Sequence, residues 1–420
     1  MKKLNQSHSS EKSLEEWLSY LESIHHTEID MGLTRIKLVA DRLSIDLGQS
    51  IVITVAGTNG KGTTCAFLEN YLLNIDKSVA VYSSPHIERF NERLRINKVD
   101  IDDQPLIDAF EQIELARKDV SLTYYEYTTL AALIVLAKVK PDVIVLEVGL
   151  GGRLDATNMI DADIAVLTTV DLDHQAFLGD TRELIGREKA GIFRANRPAV
   201  IGDINPPESV LKYGKDIAAN LICRNDDFQI TTSNGNWHWQ SNELKYQDLP
   251  QPSIPMDNVA TAISVLSIMP VMLDRSTIVK TIEQTKVAGR TEMFKEHCDV
   301  MLDVGHNPLA ARYLANLLNQ RGYERVFAVV GMLADKDIKS TLKPLYPVID
   351  RWHICDLDVP RGANAETFKN FIENDDDRMH YFNNVEDGYS MALSEASEND
   401  LVLVFGSFFT VAAVRKYFRR

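Results

Sequence analysis

Apolar residues along the chain follow two patterns that alternate. Runs at 51–56, 78–82, 143–148, 163–170 and 198–202 are rich in β-branched residues and nearly continuous, as strands buried on both faces are. Between them apolar positions recur at helical spacing, for example Phe67, Leu68, Tyr71 and Leu72. This alternation predicts a parallel α/β sheet. Ahead of it, residues 11–45 read as two amphipathic helices broken near Asp30-Met31-Gly32. Residues 228–240 place Asn234-Gly235 between alternating residues, which predicts a hairpin at the edge of the same domain. A helix is expected at about 257–269. The segment Thr285-Lys-Val-Ala-Gly-Arg290 then reads as a connector. Beyond it strand patterns return at 299–304, 325–331, 351–355 and 400–405, with helices such as 308–319 and 365–373 between them. The expected architecture is a parallel-sheet α/β domain over 1–287, followed by a smaller Rossmann-like α/β domain over 288–420.

Composition supports two domains and narrows the partners. A chain of 420 residues exceeds the size at which one core stops growing. The net charge of −15 argues against a nucleic-acid footprint, while leaving room for local basic pockets that bind small anions. The cysteines, Cys65, Cys223, Cys298 and Cys355, are far apart and match no metal or disulfide spacing, so a reducing, cytoplasmic compartment is expected. No apolar run follows Lys2 and Lys3, so no signal peptide is expected. The apolar stretch Leu130 to Ala137 is too short to span a bilayer.

The densest chemistry lies in Ile51-Val-Ile-Thr-Val-Ala-Gly-Thr-Asn-Gly-Lys-Gly-Thr-Thr64, a strand running into a glycine-rich loop and then a helix. Glycines let backbone amides close around a phosphate, and the helix N-terminus adds partial positive charge. Lys61 can reach outer phosphates, and Thr63 or Thr64 can ligate the accompanying magnesium. The spacing departs from the usual phosphate loop, because two residues separate Gly57 from Gly60 and Gly62 precedes the first hydroxyl. Other polar residues fall at strand ends, where open α/β sheets gather ligands. These are Ser83-Ser84-Pro85-His86, Glu147 with Gly149 to Asn158 behind it, and Asp171-Leu-Asp-His174. Glu147 is the candidate for a second handle on the nucleotide's magnesium. Magnesium prefers oxygen, which weighs against His174 on chemistry alone. Lys189, by spacing, reads as a solvated helix lysine.

Taken together, the motifs VAGTNGKGTT, YSSPH, LTYYEYTT, LEVGLGGRLDATN, GREKAGIFR, DVGHNP and FGSFFTV resemble the folylpolyglutamate synthase/dihydrofolate synthase family. The resemblance is to its bacterial bifunctional form, within the Mur-type ATP-dependent amide ligases, and runs from Trp17 to Val411. It implies a phosphate-loop ATPase domain joined to a glutamate ligase domain, with ATP between them. Thr58, Asn59, Gly60 and Lys61 would hold the phosphates, and Asn258, Arg290 and Asp303 would complete the ATP site. Ser84, Glu147 and His174 would ligate two magnesium ions beside a carbamylated Lys189. Met31, Gly32 and Leu33, Thr123, Tyr124, Tyr125 and Glu126, and Leu154, Asp155 and Ala156 would hold a pteridine. A tyrosine supplies an aromatic platform for such a ring and Asp155 an acceptor for its N–H edge. His306 and Ser407 would meet the incoming glutamate, with Lys61, Lys189 and His306 as the catalytic set. Gly305 stands where the family commonly has alanine, a change expected to matter little. Phe409 stands where bacterial relatives often have histidine, removing a polar group near the glutamate pocket.

The implied reaction forms an acyl phosphate from ATP and a carboxylate, and L-glutamate then displaces the phosphate. The implied acceptors are 7,8-dihydropteroate and the glutamate tail of tetrahydrofolates, handled by a cytoplasmic monomer. A cell-wall ligase acting on a UDP-linked precursor usually carries a UDP-binding domain before the phosphate loop, whereas 56 residues precede Gly57 here. A nucleotide-dependent switch has no use for Asp303, His306 and Ser407, and a folate-storage module has none for a magnesium cluster.

Overall fold

The computed structural model describes residues 12–27, 29–233, 235–370 and 377–418. Its first sheet holds β1 (Ile51–Ala56), β2 (Val79–Tyr82), β3 (Leu94–Ile96), β4 (Val99–Asp100), β5 (Val143–Glu147), β6 (Ile164–Leu167), β7 (Pro198–Ile201) and β8 (Asn220–Cys223). The order is β4-β3-β2-β5-β1-β6-β7-β8, parallel from β2 to β8 with β3 and β4 antiparallel at one edge. The chain reverses its winding around β1, which puts a crevice at the carboxyl ends of β5, β1 and β6.

β1 shows why these strands read as continuous apolar runs. Ile53 and Val55 join the core cluster that holds Phe67, Tyr71 and Ile263, while Val52 joins the opposite cluster with Trp17, Phe110 and Tyr127. Alternate side chains thus bury on opposite faces, and burying each contributes roughly 1.5–3 kcal/mol. The two N-terminal helices form at Leu14–Ser23 and Thr34–Leu43, the first opened by a Ser13–Glu16 capping box.

The expected hairpin forms, in a small sheet of its own. β9 (Phe228–Ser233), β10 (Asn236–Ser241) and β11 (Lys245–Leu249) make a separate antiparallel sheet in the order β11-β10-β9. Ser233 pairs with Asn236 across a two-residue turn; Gly235 has φ of 80°, and Asn234 lies outside the described residues. Trp237 and Trp239, two apart, are fully buried on one face of this sheet, in the same cluster as Phe67. That burial draws the hairpin over the first sheet rather than onto its edge.

The second domain builds β12 (Glu292–Lys295), β13 (Asp299–Asp303), β14 (Val326–Val330), β15 (Arg351–Cys355), β16 (Met379–Phe382) and β17 (Leu401–Phe405). Their order is β12-β13-β17-β14-β15-β16, parallel except for β12. Helix Pro308–Arg321 opens on the Asn307 cap with proline in its first turn and closes on Gly322 at φ 68°. In place of the helix expected over 365–373 there is a 3₁₀ segment, Ala365–Asn370, and 371–373 lie outside the described residues. Among the described residues no helix is long and apolar enough to cross a membrane.

Candidate active site

The loop after β1 is held in shape from β6. Thr58 N donates to Thr169 O at 2.8 Å, Asn59 N to Thr169 Oγ1 at 3.1 Å, and Thr168 Oγ1 to Asn59 O at 2.6 Å. A Cβ at Gly57 would stand 1.8 Å from Thr168 Oγ1, so only glycine fits against that hydroxyl. Helix Lys61–Asn74 starts directly from the loop, aiming its free amides at the crevice. Lys61 arches back over the loop, its Nζ donating to Gly57 O at 3.0 Å. Thr63 lines the crevice, its Oγ1 accepting from Asn258 Nδ2 at 2.8 Å. Thr64 is buried behind the loop, so of the two hydroxyls left open by the sequence the structure places Thr63 in the cavity.

One cavity between the domains is lined by Thr58, Asn59, Gly60, Lys61, Ser84, Glu147, His174 and Lys189 from the first domain and its loops. Asn258 borders the loop from the same domain, and Arg290, Asp303 and His306 close the cavity from the far side. Burial pushes the Glu147 carboxyl up, opposed by Lys61 and Arg290. Burial lowers His174 to about 4 against the pull of Asp173, leaving a neutral imidazole at pH 7. His306 falls to about 4 through burial and Lys336. Lys189 is buried, not solvated, and burial with the Lys61 charge brings its amine down to about 7. Asp303 binds the amides of Thr291 at 2.8 Å and Gly305 at 2.7 Å, which shape the turn into the second domain.

The donor set fits a divalent cation. Glu147 is a buried carboxylate with no cation at ion-pair distance among the described residues, a charge that a bound ion would balance. Ser84 and His174 add a hydroxyl and an imidazole in the same cavity. Among the described residues no three His, Cys, Asp or Glu side chains converge as a ready-made cage. Such a site suits magnesium, which is held through few protein ligands plus water and phosphate oxygens.

Of the residues expected around a pteridine, Met31, Tyr125 and Asp155 lie against the Gly149–Gly152 turn. Tyr125 stacks on Tyr82 at 6.3 Å, and its ring packs so tightly on Gly149 that a Cβ there would stand 2.7 Å from Cζ. Met31 reaches the same turn, its methyl 3.3 Å from a Cβ built on Gly151. Leu33 stands before helix Thr34–Leu43, and nothing lies within 4 Å of a Cβ on Gly32. Tyr124 meets Phe90 edge-on at 6.3 Å. Thr123 and Glu126 form a capping box for helix Tyr124–Val139, and Glu126 also pairs with Arg35 at 3.2 Å. Asp155, between Leu154 and the buried Ala156, accepts from the amides of Gly149, Leu150 and Thr157 and from Thr157 Oγ1. Its oxygens are therefore engaged in holding the glycine turn.

In the second domain Ser407 caps helix Phe408–Arg415, its Oγ accepting from Thr410 N at 3.0 Å. Phe408 lines the cavity, whereas Phe409 is 48% exposed and lies outside its lining. Gly305 is also less neutral than its sequence context implies. A Cβ there would stand 2.8 Å from Ala310 Cβ and from Asp303 Oδ1, so alanine would require one of them to move. Sequence reasoning missed Thr291, Tyr313 and Leu309 in the lining. It also gave no role to Asn307, which lay within the DVGHNP motif.

Two α/β domains that close a cavity over a phosphate loop define a nucleotide-dependent ligase of the Mur type. The Mur ligase middle domain model matches residues 55–266, and the Mur ligase glutamate ligase domain model matches 289–408. The dihydrofolate synthase/folylpolyglutamate synthase of Haemophilus influenzae is 42% identical, covering 95% of this chain and 96% of that protein. The Escherichia coli K12 protein of that name is 43% identical over 96% of this chain and 94% of its own length. The structure of E. coli FolC with DHPP and ADP superposes with a TM-score of 0.93 at 42% identity, covering 97% of this chain and 98% of that one. A bifunctional folylpolyglutamate synthase/dihydrofolate synthase with Mn, AMPPNP and L-glutamate bound gives 0.91 at 43% identity, covering 97% and 98%. The chain belongs to the dihydrofolate synthase/folylpolyglutamate synthase family of Mur ligases.

Proposed function

We propose that this chain is an ATP-dependent ligase that joins L-glutamate to 7,8-dihydropteroate and extends the glutamate tail of tetrahydrofolates. One observation carries the reading: Lys61 and Glu147 of the first domain share a cavity with Arg290, Asp303 and His306 at the second. On this reading residues 1–287 bind ATP and the folate and residues 288–420 bring the glutamate. Both halves of the cavity come from one chain, so a monomer suffices to complete the site. Its cysteines are free and buried, which supports a reducing cytoplasm.

The substrate carboxylate attacks the γ-phosphate of ATP, giving an acyl phosphate and ADP. Lys61, together with the loop amides, offsets the charge that gathers on the transferred group. The α-amine of glutamate then attacks the acyl carbon, and inorganic phosphate leaves from the tetrahedral intermediate. Ser84, Glu147 and His174 would hold magnesium, which when bound would supply further neutralisation of the phosphates. Burial of the cavity between domains keeps water from the acyl phosphate. Lys189 is carbamylated: the lone pair of its neutral amine forms an N–C bond to CO₂ as one C=O π bond opens, and the nitrogen loses a proton, so a neutral amine becomes a carbamate anion. An amine lowered to about 7 supports this, because much of it is unprotonated at neutral pH.

A second cavity supports the second acceptor. It shares Ser84, Glu147 and Arg290 with the first and extends between the domains past Lys98 and Lys286. Those lysines make no ion pair among the described residues, so they suit an anionic glutamyl tail. Phosphate release with ATP, L-glutamate and either dihydropteroate or tetrahydrofolate tests both halves. Release with tetrahydrofolate alone removes the synthase half, and release without any acceptor removes both.

A further inference from the structure

The phosphate loop and the second domain are joined by one side chain. Asn307 Nδ2 donates to Asn59 Oδ1 at 2.9 Å, and Asn59 Nδ2 returns a bond of 2.9 Å to Asn307 Oδ1. Asn307 Oδ1 also accepts from Ala310 N at 3.0 Å, and its Nδ2 lies 3.4 Å from Asp173 Oδ2. An amide offers two donor hydrogens and two acceptor lone pairs, and all four are used here. The orientation is fixed chemically, since Ala310 N–H can only donate and an ionised Asp173 can only accept. The other oxygen of Asp173 takes Lys336 Nζ at 3.1 Å, also from the second domain. Asp173 therefore answers to the second domain through both oxygens, and it directly precedes His174.

We infer that Asn307 is a positioning residue: by clasping Asn59 and Asp173 it ties the phosphate loop, already shaped from β6, to the docked glutamate domain. The inference rests on the ligase reading above. Asn307 touches no reacting atom; it acts through Asn59 on the phosphate side and through Asp173 on the turn that carries His174. With the clasp made, phosphoryl transfer takes place in a closed cavity where glutamate is the next nucleophile. With it broken, the acyl phosphate forms in a loosened cavity and water competes with the amine.

Asn307→Asp separates this role from a structural one. Aspartate caps a helix as well as asparagine does, so the bond from Ala310 N survives. It cannot donate to Asn59 Oδ1, and it sets a second carboxylate against Asp173. The full-length protein is assayed with ATP, Mg²⁺, dihydropteroate and L-glutamate, and ADP and amide product are counted separately. The parent makes one amide per ADP; if it makes no amide, the ligase reading fails rather than the clasp. Asn307→Asp is expected to unfold at the parent's temperature, with KM for glutamate raised on the order of tenfold and ADP formed in excess over amide. Asn307→Ser, which keeps a capping oxygen without charge, reads the same two quantities should the aspartate variant fold poorly. A glutamate KM and an ADP-to-amide ratio equal to the parent's in these variants overturn the inference.

Discussion

A methyl group placed on Gly60 would stand 2.5 Å from Oδ1 of Asn258, and Gly60 itself has φ of +87°. The loop thus meets the helix Met256–Ser267 at a position that admits neither a side chain nor, for other residues, its backbone angle without strain. Gly60→Ala is expected to weaken ATP binding roughly tenfold or more, from about 1–3 kcal/mol of strain. Isothermal titration with ATP and magnesium checks it; parent-like affinity would show that the loop has room to spare.

Lys61 is half-buried and turned onto its own loop, bonded to carbonyl oxygens and not to a core carboxylate. Removing it should spare the fold. Lys61→Ala is expected to keep the parent's melting temperature within a few degrees while ADP release falls by about 10³-fold. Near-normal ADP release in this variant would remove the lysine from the charge-balancing role.

Lys189 gives a dependence on pH whose sign can be stated. Its amine is lowered from 10.5 to about 7, so it is largely neutral above pH 7 and charged below. Only the neutral form takes up CO₂. Activity limited by this step rises with pH through about 7 and falls below it, and added bicarbonate raises it most near pH 7. Lys189→Ala is expected to be inactive and to regain partial activity with short carboxylates. Full activity of the unsupplemented variant would rule out the carbamate.

His353 carries a stability prediction far from the cavity. It lies on β15, buried, with its ring stacked on Phe382 at 5.4 Å and His380 at 5.7 Å, and with Glu395 Oε2 3.6 Å from Nε2. Burial lowers it from 6.5 to about 4, partly opposed by Glu395. Between those values the unfolded chain binds a proton that the folded chain does not, so stability falls as pH drops from 6.5 toward 4. Over that window the parent should lose about 2 kcal/mol more than His353→Phe. Urea melts at pH 7 and pH 4.5 measure the difference, and equal losses in the two proteins would show that His353 titrates normally.

Much of this was legible in the sequence, for physical reasons that differ by element. Strands such as β1 and β5 bury both faces, so their apolar runs stand out. The strands that went unread sit at edges or are very short: β4 has two residues, with Val99 69% exposed, and β12 alternates half-buried with exposed positions. No apolar run marks them. Thr123-Tyr-Tyr-Glu126 did carry a local signal, a capping box, which the family resemblance overshadowed. The burial of Lys189 carried none, since its neighbours in sequence are Arg187 and Glu188. The Asn59–Asn307 clasp joins residues 248 apart and depends on how the two domains dock. Local pattern has no access to that.

The central claim is that the phosphate passes through the substrate's carboxylate. Dihydropteroate labelled with ¹⁸O in both carboxylate oxygens, incubated with the protein, ATP, magnesium and L-glutamate, tests it by mass analysis of the phosphate released. An acyl phosphate route places one ¹⁸O in each inorganic phosphate formed with amide product. Unlabelled phosphate accompanying amide product would contradict it.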